Sequence, residues 1–229
     1  MARRRLIGFA ALGIASYAVA TVATLPASVA VGDRPWVSGT SGTVWNGEIG
    51  VTGGDVVKWA WSPLRSLTSL GFAADFRVTG PDTDLGGRVL AGATSKVFDK
   101  VSGSMDVGLL SVAQPALPFT CQMTAQVEME RAEFGGSGQM MRGTAVTDPG
   151  SCSPRGLAVA TQLPSLIMTA QKVGTETRIR VAPAAQRLKV LVNGTLSESG
   201  QLSLSLTPEG ADMMPFMGLR AGVPMKVTL

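Results

Sequence analysis

Through residues 40–64 the chain reads TSGTVWNGEIGVTGGDVVKWAWSPL, and apolar positions recur within it at strand spacing. Val44-Trp45 and Ile49-Gly50-Val51 flank Asn46-Gly47, and residues 55–61 resume a period of two before Ser62-Pro63 interrupts it. β-Branched and aromatic residues between Gly and Asn punctuation predict strands. Ser62 followed by Pro63 predicts an N-cap with proline at the first helical position. The short helix it opens carries Leu64, Leu67 and Leu70 on one face.

The same alternation of short strands and turns runs to the C-terminus. Residues 72–79 form a predicted strand that stops at Gly80-Pro81-Asp82, a turn sequence. Residues 86–93 and 101–110 follow as strands, and proline-broken residues 111–118 supply one helical turn. Residues 120–130 alternate most cleanly, with Cys121, Met123, Ala125, Val127 and Met129 opposite Gln122, Thr124, Gln126, Glu128 and Glu130. After a turn at Gly135-Gly136-Ser137-Gly138, residues 139–147 form its expected partner. Residues 164–172 read as a short helix, whereas 175–181, 187–196, 201–206 and 225–229 read as strands. Met213, Met214, Phe216 and Met217 suggest a helical turn packed over a sheet end. At least about ten short strands, linked too tightly for crossovers, predict an all-β, antiparallel domain. Irregular strand lengths favour a curved open sheet or half-barrel with a few short helices over a closed symmetric barrel.

The N-terminus is different in kind. Arg3-Arg4-Arg5 precedes an apolar run over residues 6–25, interrupted only by Ser16, Tyr17, Thr21 and Thr24. About 20 such residues at ~1.5 Å each match a ~30 Å hydrocarbon core, so the run predicts a transmembrane helix. The arginines would stay cytoplasmic and the rest would be exported. The rival is a signal peptide cleaved after residue 30, since Ser28-Val29-Ala30 places small residues at cleavage offsets. The expected organisation is a cytoplasmic tip at 1–5, the membrane helix at 6–25, a tether at 26–36 and a periplasmic β domain at 37–229. No later run is long enough to span again. The two cysteines, Cys121 and Cys152, fit an oxidising compartment as a structural disulfide, because a redox pair favours a Cys-x-x-Cys spacing that they lack.

Composition removes most other classes. Of 20 basic residues three sit in the N-terminal arginine run, leaving 17 against 16 acidic ones. The remainder is nearly neutral, which excludes a phosphate-binding face and hence nucleic acid as a partner. Histidine is absent altogether. That removes His-dependent triads and His-ligated zinc. The glycine pairs at Gly53-Gly54, Gly86-Gly87 and Gly135-Gly136 read as β-turns, Asn193-Gly194 as a tight turn, and Glu128, Glu130, Arg131 and Glu133 as a solvated strand edge. No catalytic, metal-binding or cofactor-binding constellation emerges, and a non-enzymatic role is expected. Trp45 and Trp59 read as core anchors of the first hairpin, the rival role being a groove or a belt near the membrane.

Ser41-Gly42-Thr43-Val44-Trp45-Asn46-Gly47 and, further on, Val57-Lys58-Trp59-Ala60-Trp61-Ser62-Pro63-Leu64 resemble the start of the periplasmic domain in the type II secretion system protein N family. The order of features resembles that family over most of the chain: an anchor, Pro26-Ala27, these two motifs, glycine-led strands, residues 200–206 and Gly222 to Pro224. The resemblance implies an inner-membrane accessory subunit that supports export of folded periplasmic proteins across the outer membrane through contacts with other inner-membrane or periplasmic subunits. It marks Thr43, Val44, Trp45, Gly47, Trp59 and Pro63 as motif residues and an interface, and it brings no catalytic residue or cofactor. A second resemblance, to AsmA-like envelope proteins, implies a hydrophobic β groove that binds or transfers lipid. A continuous apolar face inside a curved sheet would favour the groove, and an apolar face capped by helices such as the one at residues 62–70 would favour a scaffold.

Overall fold

The computed structural model describes residues 2–114, 117–136, 138–157 and 159–228. Helix α1 (Ala2–Ala23) and the short α2 (Ala27–Val31) precede β1 (Val37–Gly42), β2 (Asn46–Val51), β3 (Val56–Trp61), α3 (Pro63–Ser69), β4 (Phe72–Thr79), β5 (Asp84–Ala91) and β6 (Ser95–Asp106). Then come α4 (Leu109–Ala113), β7 (Phe119–Gln122), β8 (Thr124–Gly135), β9 (Met140–Thr147), β10 (Gly150–Pro154), β11 (Thr161–Leu163), β12 (Leu166–Val173) and β13 (Glu176–Pro183). The chain closes with β14 (Val192–Ser197), β15 (Gln201–Leu206), α5 (Pro208–Met213), a 3-10 turn at Pro215–Met217 and β16 (Met225–Thr228). Among the described residues one antiparallel sheet holds 13 strands in the order β1-β2-β3-β4-β5-β6-β8-β9-β12-β13-β14-β15-β16, with β1 and β16 as its open edges. The all-β, antiparallel, open-sheet expectation holds.

Register explains why one sequence pattern serves so many strands. Residues directly opposite one another point to the same face, and successive residues point to opposite faces. One row of partners runs Ile49, Val57, Val78, Leu85, Gly103, Val127, Ala145, Met168, Val181, Val192, Leu206, all apolar or glycine. The adjacent row runs Glu48, Lys58, Arg77, Gly86, Ser102, Glu128, Thr144, Thr169, Arg180, Asn193, Ser205. A slip of one residue in any strand would exchange the two rows locally, so burial of the first row fixes the register of the whole sheet. On the polar face ion pairs bridge neighbouring strands: Lys58 to Glu48 at 3.0 Å, Arg77 to Asp84 at 2.8 Å and Arg131 to Asp99 at 3.2 Å. The hydrogen bond from Arg77 holds the exposed Asp84 carboxyl below its ordinary value, and the same pairing raises Arg77.

The C-terminal end of the apolar face is capped. A second sheet, β11-β10-β7, packs with α5 and the 3-10 turn to bury Leu166, Val192 and Leu206 among Met123, Cys152, Leu163, Met214 and Phe216. The rings of Phe119 and Phe216 meet edge to face at 5.4 Å. The expected helical turn over a sheet end is therefore present, at α5 and Pro215–Met217. Farther along, Phe76, Phe98 and Phe134 form a ladder of edge contacts at 6.1 and 6.3 Å on the apolar face.

Several expectations need correction. Residues 120–130 are not one strand: Gln122 pairs with Ser151 and Ala125 with Thr147, leaving Met123 and Thr124 opposite Asp148, Pro149 and Gly150. That extra residue is a bulge, and Pro149 has no N–H to continue the ladder, so the hairpin β8/β9 breaks and continues in the other sheet as β7/β10. Cys121 and Cys152 thus face each other across two short strands, Cα atoms 4.1 Å apart and joined by a disulfide. Residues 164–172 fold as strand β12, because Leu166 and Ile167 are buried on its two faces between β9 and β13. The charge run at Glu128 to Glu133 lies on central strand β8, not on an edge. Gly86, Gly87 and Gly194 sit inside strands, as the strand readings at 86–93 and 187–196 require, and not in turns.

Candidate functional site

The motif residues converge where α1 meets the sheet. Thr43 to Trp45 form the turn between β1 and β2, closed by the Thr43 N–H donating to the Asn46 carbonyl at 2.8 Å. Gly42 enters that turn at φ 80, a left-handed conformation that favours glycine. Gly47, one residue into β2, lies against the Trp59 indole, where a Cβ would collide with the ring. Glycine there is what lets Trp59 lie flat over the hairpin and donate its Nε1 proton to the Val44 carbonyl at 2.8 Å. Both residues are half-buried. Pro63 occupies the first turn of α3, following Ser62, whose side chain makes no capping bond.

Two further tryptophan bonds tie three elements together. The Trp45 Nε1 proton goes to the Val22 carbonyl in the last turn of α1 at 2.8 Å, and the Trp61 Nε1 proton goes to Ser66 Oγ of α3 at 2.8 Å. The two rings contact each other, centroids 4.7 Å apart and tilted by 54°. Trp45 also meets Phe72 of β4 at 6.2 Å. The backbone joins in: Val44 N–H donates to the Leu25 carbonyl at 2.9 Å, Trp61 N–H to the Trp45 carbonyl at 2.7 Å, and Pro26 bridges to Thr43. Next in the chain, Ala27 of α2 is fully enclosed. Ala18, Val19, Val22, Ala23, Trp45, Asn46 and Trp61 line an open apolar cavity of about 620 Å³ at this junction.

The structure thus gathers Thr43, Val44, Trp45, Gly47, Trp59 and Pro63 into one region. Cys121 and Cys152 lie apart from it, in the small sheet. Arg3, Arg4 and Arg5 belong to α1, but their side chains lie outside the described residues. Trp61 and Ser66 complete the junction and were not among the expected site residues, although the spacing of Trp59 and Trp61 already put both rings on one face. Leu64, Leu67 and Leu70 form the apolar face expected of α3, but that face points to solvent and does not cap the sheet. Among the described residues no helix is long and apolar enough to cross a membrane, and no group of three or more His, Cys, Asp or Glu side chains is arranged to hold a metal ion.

A large antiparallel sheet with one polar face, one partly capped apolar face and an aromatic helix junction defines a β scaffold. The family model for type II secretion system (T2SS), protein N matches residues 34–218, and the chain belongs to that family. The match covers β1 through the 3-10 turn, hence every strand but β16 and both tryptophan motifs. No curated protein and no solved structure matches the chain. The family is a structural or accessory component of type II secretion, so the chain is a component of that system.

Proposed function

We propose that this protein is a bitopic inner-membrane subunit that supports type II secretion without catalysing a reaction, with residues 37–229 forming its periplasmic domain. The family match over residues 34–218 carries the reading. The apolar run at 6–25 and the arginines before it support an anchor with a cytoplasmic N-terminus. Phe9, Leu12, Ile14, Tyr17, Val19 and Val22 are exposed around the whole circumference of α1, a distribution suited to lipid and ill suited to water. The Cys121–Cys152 disulfide is in keeping with an oxidising compartment. Retention of the anchor is favoured over cleavage after residue 30. Cleavage would remove buried Ala27, the Pro26–Thr43 bridge and the carbonyl that Trp45 uses.

In this reading the junction residues Thr43 to Gly47, with Trp59 and Pro63, hold the sheet in a fixed pose on the membrane, and the domain presents its surface to neighbouring secretion subunits. Reporter fusions at the C-terminus test the topology, paired with secretion of a folded substrate in cells lacking the gene. The expected result is periplasmic reporter activity, an intact N-terminus by mass, and a secretion defect restored by the full chain. A cytoplasmic C-terminus would overturn the reading, as would secretion unaffected by loss of the gene.

A further inference from the structure

Helix α3 exposes more apolar surface than its fold requires. Leu64, Leu67 and Leu70 are 78%, 73% and 93% exposed, and no residue of the helix is buried. Its polar side is committed inward: Ser66 Oγ accepts from the Trp61 indole and the Ala73 N–H, and Arg65 pairs with Asp75 at 3.0 Å. The helix therefore turns its leucines away from the sheet while its hydroxyl and charge hold it there. Leu70 adds a second observation. It occupies the left-handed C-cap position at φ 49, where glycine is favoured and a branched side chain is strained. A fold that needed only to end a helix would be served by glycine.

What α3 is bonded to points to the occupant. Trp61 bonds α3 and contacts Trp45, which bonds the last turn of α1, and both rings line a cavity with Ala18, Val19, Val22 and Ala23. Helix α3 is thus tied to the last turn of α1 through Ser66, Trp61 and Trp45, with its leucines on the side away from those bonds. Tryptophans at such a level, with an apolar helix face next to them, are the arrangement of a membrane–water interface. We propose that α3 is an interfacial helix that lays Leu64, Leu67 and Leu70 into the headgroup–acyl boundary of the periplasmic leaflet, with Trp45 and Trp61 at the same depth. The proposal rests on the reading of α1 as the membrane anchor. It makes the orientation of the sheet to the bilayer a built property, set by two contacts rather than by a hinge.

Because Cys121 and Cys152 are joined, a single introduced cysteine supplies the one free thiol for a nitroxide label. Three variants of the full-length protein, Leu67→Cys on α3, Tyr17→Cys on α1 and Gln171→Cys on β12, would be reconstituted into vesicles of phosphatidylethanolamine with phosphatidylglycerol. All three positions are exposed, so the labels leave the packing intact. Collision rates with oxygen and with a water-soluble nickel chelate then read depth. The expected result is an oxygen-to-nickel ratio at Leu67 several-fold above that at Gln171, approaching the ratio at Tyr17. A lipid-like ratio at Tyr17 with a Gln171-like ratio at Leu67 would overturn the proposal and leave the anchor standing. Water-like ratios at both Tyr17 and Leu67 would overturn the two together. A Leu67 label shielded from both agents would assign the face to contact with a second copy of the chain and overturn the lipid contact.

Discussion

Gly87 shows how a single residue is set by its neighbours in space. It sits in β5 between the strands of Phe76 and Val101, and a Cβ there would lie 2.8 Å from Val101 Cγ2 and 3.0 Å from Phe76 Cζ. The missing side chain makes room for Phe76 to reach Phe98. Gly87→Val is expected to destabilise the protein by about 1–3 kcal/mol, as overpacking does, which urea unfolding of the detergent-solubilised chain would measure as a lower midpoint at unchanged slope. In the sequence, Gly86-Gly87 and Asn193-Gly194 carry turn chemistry although both pairs also fall within expected strands, 86–93 and 187–196. Nothing local could reveal that Phe76 packs over Gly87 or Leu204 over Gly194, because both partners arrive by strand pairing. Gly42 and Gly47 were legible as punctuation of the first hairpin, whereas the tryptophan that requires Gly47, Trp59, stands in the second motif.

Among the elements, strands whose two faces differ were readable and strands buried on both faces were not. Residues 72–79 and 201–206 coincide with β4 and β15, since their alternation matches a sheet with one polar face. Residues 164–172 read as a helix because Leu166 and Ile167 adjoin, and a short apolar run has no period to separate helix from buried strand. The break at Met123 was hidden for a different reason: its alternation continues unchanged through a bulge that is created by Pro149 on the partner strand. That break hands β7 and β10 to the capping sheet, and the disulfide holds them there. Replacing both Cys121 and Cys152 with serine is expected to cost about 3–4 kcal/mol in the chain-entropy model, given 31 residues of separation. Proteolysis at β7 and β10 would rise before the large sheet opens, and equal protection of both sheets after the double substitution would contradict this.

The whole molecule reduces to a pair of adjacent rows, one apolar from Ile49 to Leu206 and one polar from Glu48 to Ser205, carried across the strands of one sheet. Alternation in the sequence made the all-β class and the open sheet legible. The strand order, with three strands diverted into a cap, is a long-range property and was not. The tryptophan motifs pointed to the helix–sheet junction and to the family together, whereas the outward turn of the α3 leucines emerged only once Ser66 was seen bonded beneath the helix. The apolar face is continuous, as a lipid groove would require, but its C-terminal end is filled by the second sheet, α5 and Phe216. The family match accords with the scaffold.

The most direct measurement is gentle detergent extraction of the tagged, full-length protein, with identification of every protein and lipid that co-purifies, against an unrelated single-span protein as control. Enrichment of inner-membrane or periplasmic type II secretion subunits is expected, diminished when residues 40–64 are replaced. Stoichiometric phospholipid with no secretion subunit would contradict it and turn attention to the apolar face of the sheet.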